Sequence, residues 1–198
     1  MDISDNLLTS LEETSLKNIR VASLVQLNAT GNQITDIHKD AFVGQSKLQV
    51  VDLSSNNLMF IVPKTFTQNP SLDGLSPSNN RGLEMPKGGY FLSSASLRVL
   101  RLSNCNLHYI PPQTFQELPN LQELCVSHKV IEILYPVKGV ERLTVLDLCH
   151  NYLRNLDSGV FSAIRKPVSP NLSYKRLSTL NATVMPQLVE VSSANELN

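Results

Sequence analysis

Leucine and other apolar residues recur along the chain in a fixed pattern of eleven positions. The segments LRVLRLSNCNL (97–107) and LTVLDLCHNYL (143–153) share leucine at the first, fourth, sixth and eleventh positions. The same pattern, with a few exchanges, appears in LQVVDLSSNNL (48–58), LVQLNATGNQI (24–34) and LQELCVSHKVI (121–131). The pattern is therefore a repeat, and a repeat must be recognised before individual helices and strands are predicted.

The repeats are evenly spaced. Their first residues are separated by 24, 24, 25, 24 and 22 residues and are Leu24, Leu48, Leu72, Leu97, Leu121 and Leu143. Repeat positions are counted from these residues. Most units continue with an aliphatic residue near position 14 and a phenylalanine near position 19, at Phe42, Phe66, Phe91, Phe115 and Phe161. The short unit from Leu121 lacks this phenylalanine and has Gly139 or Val140 in its place.

The spacing within a unit predicts a short strand followed by a turn. Positions four and six are two residues apart, so in an extended strand their side chains point to the same side. Strands of successive units can pair only with their neighbours, which predicts a parallel sheet along a solenoid. Stacked units would align leucine and phenylalanine in a continuous core, with each buried side chain contributing about 1.5–3 kcal/mol.

Position nine, just after the strand, carries an amide in most units. There the chain turns away from the sheet and leaves buried backbone groups without strand partners. An amide can donate and accept hydrogen bonds, so a ladder of side chains is predicted from Asn32, Asn56, Asn80 and Asn151. Cys105 occupies this position in its own unit, where we interpret it as a small buried residue rather than a reactive thiol.

These features resemble the leucine-rich repeat family in its form of about 24 residues, LxxLxLxxNxLxxLpxxaFxxLxx. The resemblance implies an α/β fold, a curved right-handed solenoid with a parallel β-sheet on the concave side and irregular or short helical segments on the convex side. Residues 1–198 are expected to form a single domain of about seven units, the last from Pro167, with partial units at both ends. Extracellular members usually carry cysteine-rich caps, which this chain lacks. We therefore expect a fragment whose uncapped ends could self-associate.

Function is expected at the repeat positions that face away from the core. Positions two, three, five, seven, eight and ten should line the concave face and its rim, where side chains are free of core packing. The candidate ligand-contact residues are Arg98, Arg101, Asn104, Glu123, His128, Asp147, His150 and Tyr152. Their mixed charge, with arginine and tyrosine among them, favours a protein ligand over a polyanion.

Charge balance, apolar run length and motif content argue against several other functions. The 17 basic residues balance the 17 acidic ones, so no nucleic-acid partner is expected. The chain has no apolar run of about 18 residues, so no membrane insertion within it is expected. It also lacks the GxSxG, glycine-rich phosphate-binding and HExxH motifs, so we expect neither an enzyme nor a bound cofactor.

Two histidines fall at equivalent places. His128 and His150 share position eight of neighbouring units, so we expect them about 5 Å apart, one strand spacing. Two solvated imidazoles are the simplest interpretation, and a pair that repels below about pH 6.5 is an alternative. Zinc binding with the nearby thiols is a further alternative. Cys125 and Cys149 occupy different repeat positions, however, and exposed thiolates oxidise readily, so no metal site is predicted.

The cellular location follows from the repeat subclass. The phenylalanine-containing unit resembles the ectodomains of Toll and chaoptin, which implies an extracellular or cell-surface receptor or adhesion module, in innate immunity or cell adhesion, with a protein partner. An intracellular scaffold or adaptor is the alternative. Candidate N-glycosylation sites are Asn28, Asn171 and Asn181. Asn28 and Asn171 occupy position five, so glycans there would leave the central units for the ligand.

Overall fold

The repeat folds into a row of short parallel strands. The computed structural model describes residues 1–16, 24–86, 88–128, 131–154, 156, 159–165 and 169–173. Its strands are β1 (Ser10–Leu11), β2 (Gln26–Asn28), β3 (Asp36–Ile37), β4 (Val50–Asp52), β5 (Gly74–Ser76), β6 (Val99–Arg101), β7 (Glu123–Cys125), β8 (Val145–Asp147) and β9 (Ser169–Asn171). Over the described ranges the connections between strands are turns and irregular segments without a helix.

One sheet runs through all the units. Its strand order is β2-β4-β5-β6-β7-β8-β9, and every neighbouring pair is parallel. The paired residues are one repeat apart, so Leu100 lies beside Leu124 and Leu124 beside Leu146. This register confirms the predicted parallel solenoid. Strands β1 and β3 form a second, two-stranded sheet.

The first residues of the chain extend the edge of the main sheet. Asp2 forms a parallel bridge with Asn28, and the Ile3 amide donates to the Asn28 carbonyl at 2.8 Å. Leu11 pairs with Ile37, which is position 14 of the unit from Leu24. Residues 1–11 therefore have the same backbone arrangement as the second half of a strand and the turn that follows it in the complete units.

Columns of apolar side chains fill the interior. In the six units from Leu24 to Leu143, the leucines at positions one, four, six and eleven are buried, as are the apolar residues near position 14. The phenylalanine column is buried throughout, at Phe42, Phe66, Phe91, Phe115 and Phe161. The rings of Phe42 and Phe66 stack with centroids 4.8 Å apart, so the column links these two neighbouring units directly.

The predicted asparagine ladder is present beside the strands. The Asn80 side chain donates to the Leu53 carbonyl at 3.0 Å and to the Pro77 carbonyl at 2.9 Å, and its oxygen accepts from the Leu58 amide at 2.9 Å. Asn32, Asn56 and Asn151 make equivalent bonds. Each rung thus links backbone groups of two units. Cys105, buried at the same position, donates to the Pro77 carbonyl, which agrees with its structural interpretation.

Candidate ligand-binding surface

The exposed side of the main sheet carries charged side chains across β6, β7 and β8. Arg101, Cys125 and Asp147 are register partners at position five of three neighbouring strands. The Arg101 guanidinium lies 3.7 Å from the Glu123 carboxylate, and both side chains remain well exposed to solvent. Because exposed ion pairs are weak, Arg101 and Glu123 can separate at little cost and each can pair with a charged group of a bound partner.

Arg98, at position two, is already engaged within the chain. Its guanidinium donates to the carboxylate of Asp73, which lies at the equivalent position of the preceding unit. This hydrogen bond, together with the negative charge of Asp73, raises the pKa of Arg98. Both side chains are exposed, so the pair presents a positive and a negative group side by side on the surface.

Asp147 has a structural role that the repeat pattern did not reveal. Its carboxylate accepts a hydrogen bond from the Cys149 amide at 2.9 Å, just beyond the end of β8. Asp52 and Asn28 make the same bond to the amides of Ser54 and Thr30. An aspartate or asparagine at position five therefore stabilises the turn that follows the strand. Since asparagine makes the same bond, the turn does not require the negative charge of Asp147, and this charge is available to contact a ligand.

Cys125 lies between Arg101 and Asp147 and is half-buried. Burial raises the pKa of the Cys125 thiol, and the negative charge of Asp147 raises it further, against a smaller lowering by Arg101. The thiol is therefore protonated at neutral pH. A protonated thiol is a poor nucleophile, so Cys125 lacks the character of a reactive cysteine.

The rim of the sheet is formed by residues with left-handed backbone. Among the described residues at position eight that are not glycine, φ lies between 52° and 60°, at Asp5, Ser55, Asn79, Asn104, His128 and His150. Asparagine, aspartate and histidine tolerate this conformation better than most residues. Asn104 donates a side-chain hydrogen bond to Asn79 at 3.1 Å. The column therefore brings the side chains of neighbouring units into contact.

The two histidines are adjacent in this column. The imidazole centroids of His128 and His150 are 4.3 Å apart, and the rings are within 12° of parallel. This contact agrees with the distance expected from their shared repeat position. The Cys149 thiol lies close to both rings, with its sulfur within 4.8 Å of an imidazole nitrogen of each. Cys125, the other thiol considered from the sequence, does not belong to this group.

The remaining predicted residues lie on either side of this region. Tyr152, at position ten, is exposed, and its amide donates to the Ile131 carbonyl at 3.0 Å. Asn28 and Asn171 are half-buried at the outer strands β2 and β9, and the Asn171 oxygen accepts from both the amide and the hydroxyl of Ser173. Asn181 lies outside the described residues.

An apolar hollow away from the sheet was not predicted. Its volume is about 290 Å³, and it is lined mainly by Met59, Phe60, Met85, Pro86 and Phe91. Met59 and Phe60 are 66% and 56% exposed, which is unusual for large apolar residues. The sequence signal for this hollow is the apolar pair at positions 12 and 13 of the unit from Leu48, directly after the eleven-position pattern ends.

Across the part of the chain that the structure describes, there is no helix of the length and apolar character needed to cross a bilayer.

Comparisons with known proteins agree with this architecture. The family described as leucine rich repeat matches residues 22–81 and 76–131, more than half of the chain. No curated protein matches the chain by sequence.

Several solved structures share the fold over most of the chain. The structure of a TLR13–ssRNA13 complex matches with a TM-score of 0.75 and 23% identity, over 91% of this chain and 26% of that one. Toll from Drosophila, in complex with Spatzle, gives a TM-score of 0.66 and 19% identity, over 93% of this chain and 28% of that one. Human 5T4, a trophoblast glycoprotein, gives a TM-score of 0.72 and 24% identity, over 88% of this chain and 69% of that one. The chain thus spans about a quarter of the length of the first two.

Proposed function

Because the chain belongs to the leucine-rich repeat family, we propose that it is a protein-binding module of an extracellular or cell-surface receptor or adhesion protein. The observation that carries this proposal is the row of solvent-facing polar and aromatic side chains on β6, β7 and β8 and in the turn that follows β8. Arg101, Asp147 and Tyr152 belong to this row, and none of the three contributes its side chain to the core. In a solenoid such positions vary without loss of the fold, so they are where a ligand can be specified.

The chemistry of this row suits a protein surface. Arginine and tyrosine are the residues most enriched in the parts of interfaces that dominate binding energy. The charges are of both signs, with Arg101 beside Glu123 and a second carboxylate, Asp147, on the next strand. A polyanion would need a continuous basic stripe, so we propose a protein partner rather than a nucleic acid. One similar structure is a complex with single-stranded RNA, so the test includes RNA.

An extracellular setting is supported by the repeat subclass and by the structures it resembles. The units carry the buried phenylalanine column, and the similar solved structures include Toll in complex with Spatzle and a human trophoblast glycoprotein. In this setting we propose roles in cell adhesion or innate immune recognition, in which the chain binds and does not catalyse.

The proposed contact surface can be tested with the triple variant Arg101→Ala, Asp147→Asn and Tyr152→Ala. Asparagine at position 147 keeps the acceptor for the Cys149 amide and removes only the charge. The purified chain is screened by interferometry against a panel of extracellular domains and against single-stranded RNA. We expect saturable binding to a protein of the panel, weakened at least tenfold in the triple variant, which corresponds to a loss of about 1.4 kcal/mol.

A matched control uses the same residue types at exposed sites outside the main sheet. It is the triple variant Asp36→Asn, Tyr109→Ala and Arg165→Ala, which should bind within about twofold of the unchanged chain. Binding to RNA alone would overturn the proposal of a protein ligand. Equal binding by both triple variants, with unchanged circular dichroism, would rule out contact through β6, β7 and β8.

Glycosylation provides a second test of the extracellular proposal. We expect Asn28 and Asn171 to carry glycans when the chain is secreted from animal cells, because both lie in acceptor triplets and neither residue is fully buried. Mass spectrometry of glycopeptides measures this directly, with Asn28→Gln and Asn171→Gln as controls. Glycans at both sites would confine ligand contacts to the central units. An Asn28 without glycan in the secreted product would contradict the expectation.

A further inference from the structure

We propose that His128, Cys149 and His150 form a binding site for a divalent transition-metal ion, with zinc as the best match. The three side chains offer two imidazole nitrogens and one thiol sulfur, and their ligand atoms all lie within 4.8 Å of one another. The described residues contain no other group of three or more histidine, cysteine or acidic residues placed in this way. The inference does not depend on the identity of the protein ligand proposed above.

The backbone fixes the relative positions of the three residues. The His128 amide donates to the Cys149 carbonyl at 3.0 Å, and the Cys149 amide donates to Asp147 at 2.9 Å. The His150 amide donates to the Ser173 carbonyl at 3.2 Å. His128 and His150 are therefore each anchored to the turn of the following unit and Cys149 to the end of its own strand, while the imidazoles remain exposed. An anchored backbone with exposed ligand atoms lowers the entropic cost of assembling a site.

The geometry is close to that of a zinc site. Bonds of about 2.0–2.1 Å to nitrogen and 2.3 Å to sulfur place the donor atoms of a tetrahedral site roughly 3.3–3.7 Å apart. The three side chains must therefore approach by roughly 1 Å, which rotation about their side-chain bonds can supply because both rings are exposed. Nitrogen and sulfur donors suit zinc better than the hard cations calcium and magnesium, which prefer oxygen.

The repeat itself explains the histidines but does not explain the thiol. Histidine is among the residues that tolerate the left-handed backbone of position eight, and stacking accounts for the contact between the rings. Position seven, in contrast, is a small hydroxyl residue in every other unit, with threonine at Thr30 and serine at Ser4, Ser54, Ser78, Ser103, Ser127 and Ser173. Cysteine replaces this small hydroxyl residue only where the two histidines meet.

Binding would release the proton of the thiol. The Cys149 sulfur exchanges its proton for a bond to the metal, the two imidazoles bind through unprotonated nitrogens, and no electron is transferred. Three protein ligands leave one tetrahedral position open. Water would fill that position in the isolated chain, and a side chain of a protein bound to the same surface could replace it.

Cobalt(II) is a suitable probe because its absorption reports both tetrahedral geometry and sulfur ligation. We expect the reduced chain to bind one equivalent of cobalt with a sulfur charge-transfer band, and zinc to displace it. Cys149→Ser, which restores the residue common at position seven, should abolish that band. His128→Asn and His150→Asn should each weaken binding at least tenfold, and asparagine already occupies the same left-handed position at Asn79 and Asn104.

Two control variants separate this site from general metal binding. Cys125→Ser removes the other thiol near β8, and His108→Asn removes an exposed histidine outside the cluster. Both should bind cobalt like the unchanged chain. The proposal is overturned if the reduced chain binds neither cobalt nor zinc stoichiometrically, or if the sulfur band survives Cys149→Ser. Loss of the band in Cys125→Ser would overturn it as well.

Discussion

Replacing Phe66 with alanine is expected to lower the free energy of unfolding by about 3–5 kcal/mol. The Phe66 side chain is 1% exposed and stacks on Phe42 in the column that links successive units. Alanine would remove the apolar area that the ring buries and leave a cavity between units that cannot collapse fully. The measurement is chemical denaturation followed by circular dichroism, compared at equal protein concentration.

Phe60→Ala provides the matched control. Phe60 is six residues away in the same unit but is 56% exposed, so its removal should change the free energy of unfolding by no more than about 0.5 kcal/mol. Since repeat proteins can unfold in stages, the variants should be compared through the midpoint and the slope of the transition. Similar losses for Phe60→Ala and Phe66→Ala would mean that the phenylalanine column does not hold the units together.

The difference between these two phenylalanines could be read from the sequence. Phe66 falls at position 19, where three other units carry phenylalanine and a fourth carries it one position later, whereas Phe60 falls at position 13 of a single unit. A residue that recurs at a fixed place must meet its equivalents when units stack, so periodicity alone predicts its burial. The same reasoning correctly predicted the leucine columns, the asparagine ladder and the parallel strand order.

Features that depend on local backbone geometry were harder to predict from the sequence. The apolar period does not encode the left-handed conformation of position eight, although Gly31, Asn79 and Asn104 at that position were a usable signal. The hydrogen bond from the Cys149 amide to Asp147 could not be predicted from the sequence either. An aspartate on a strand fits the repeat pattern equally well whether its carboxylate contacts a ligand or the following turn. The approach of the Cys149 thiol to two imidazoles depends on side-chain directions in two adjacent turns.

The candidate surface therefore combines two kinds of residue. Asp147 both stabilises a turn and presents a charge, while Tyr152 presents an exposed ring and donates its backbone amide to the Ile131 carbonyl. Substitutions that ignore this difference would confuse unfolding with loss of binding. Asp147→Asn and His128→Asn avoid the difficulty, because each keeps the backbone arrangement that the repeat requires at its position.

The short unit from Leu121 has a distinct structural solution. The amide of Leu143 donates to the Val140 carbonyl at 3.1 Å, and in the preceding unit the amide of Leu121 donates to the Leu118 carbonyl in the same way. Val140 is therefore equivalent to Leu118, although its unit reaches this point with two residues fewer. No phenylalanine fills the column here, and a small apolar cavity of about 20 Å³ lies between Phe115 and Phe161. The shortened backbone instead passes directly against the carbonyl of Phe115 at Gly139.

Gly139→Ala is therefore expected to destabilise the chain by about 2–5 kcal/mol, with about 1–2 kcal/mol from the left-handed backbone and about 1–3 kcal/mol from overpacking. Gly139 has φ of 83°, and an added methyl group would overlap the backbone carbonyl of Phe115, which cannot move without displacing the neighbouring unit. Gly44→Ala separates the two effects, because Gly44 has φ of 86° but open space around the position of the added carbon. We expect Gly44→Ala to show the backbone part alone in denaturation with circular dichroism. Equal losses for the two variants would mean that the close approach at Gly139 is absent in solution and that the short unit is accommodated by another path of the chain.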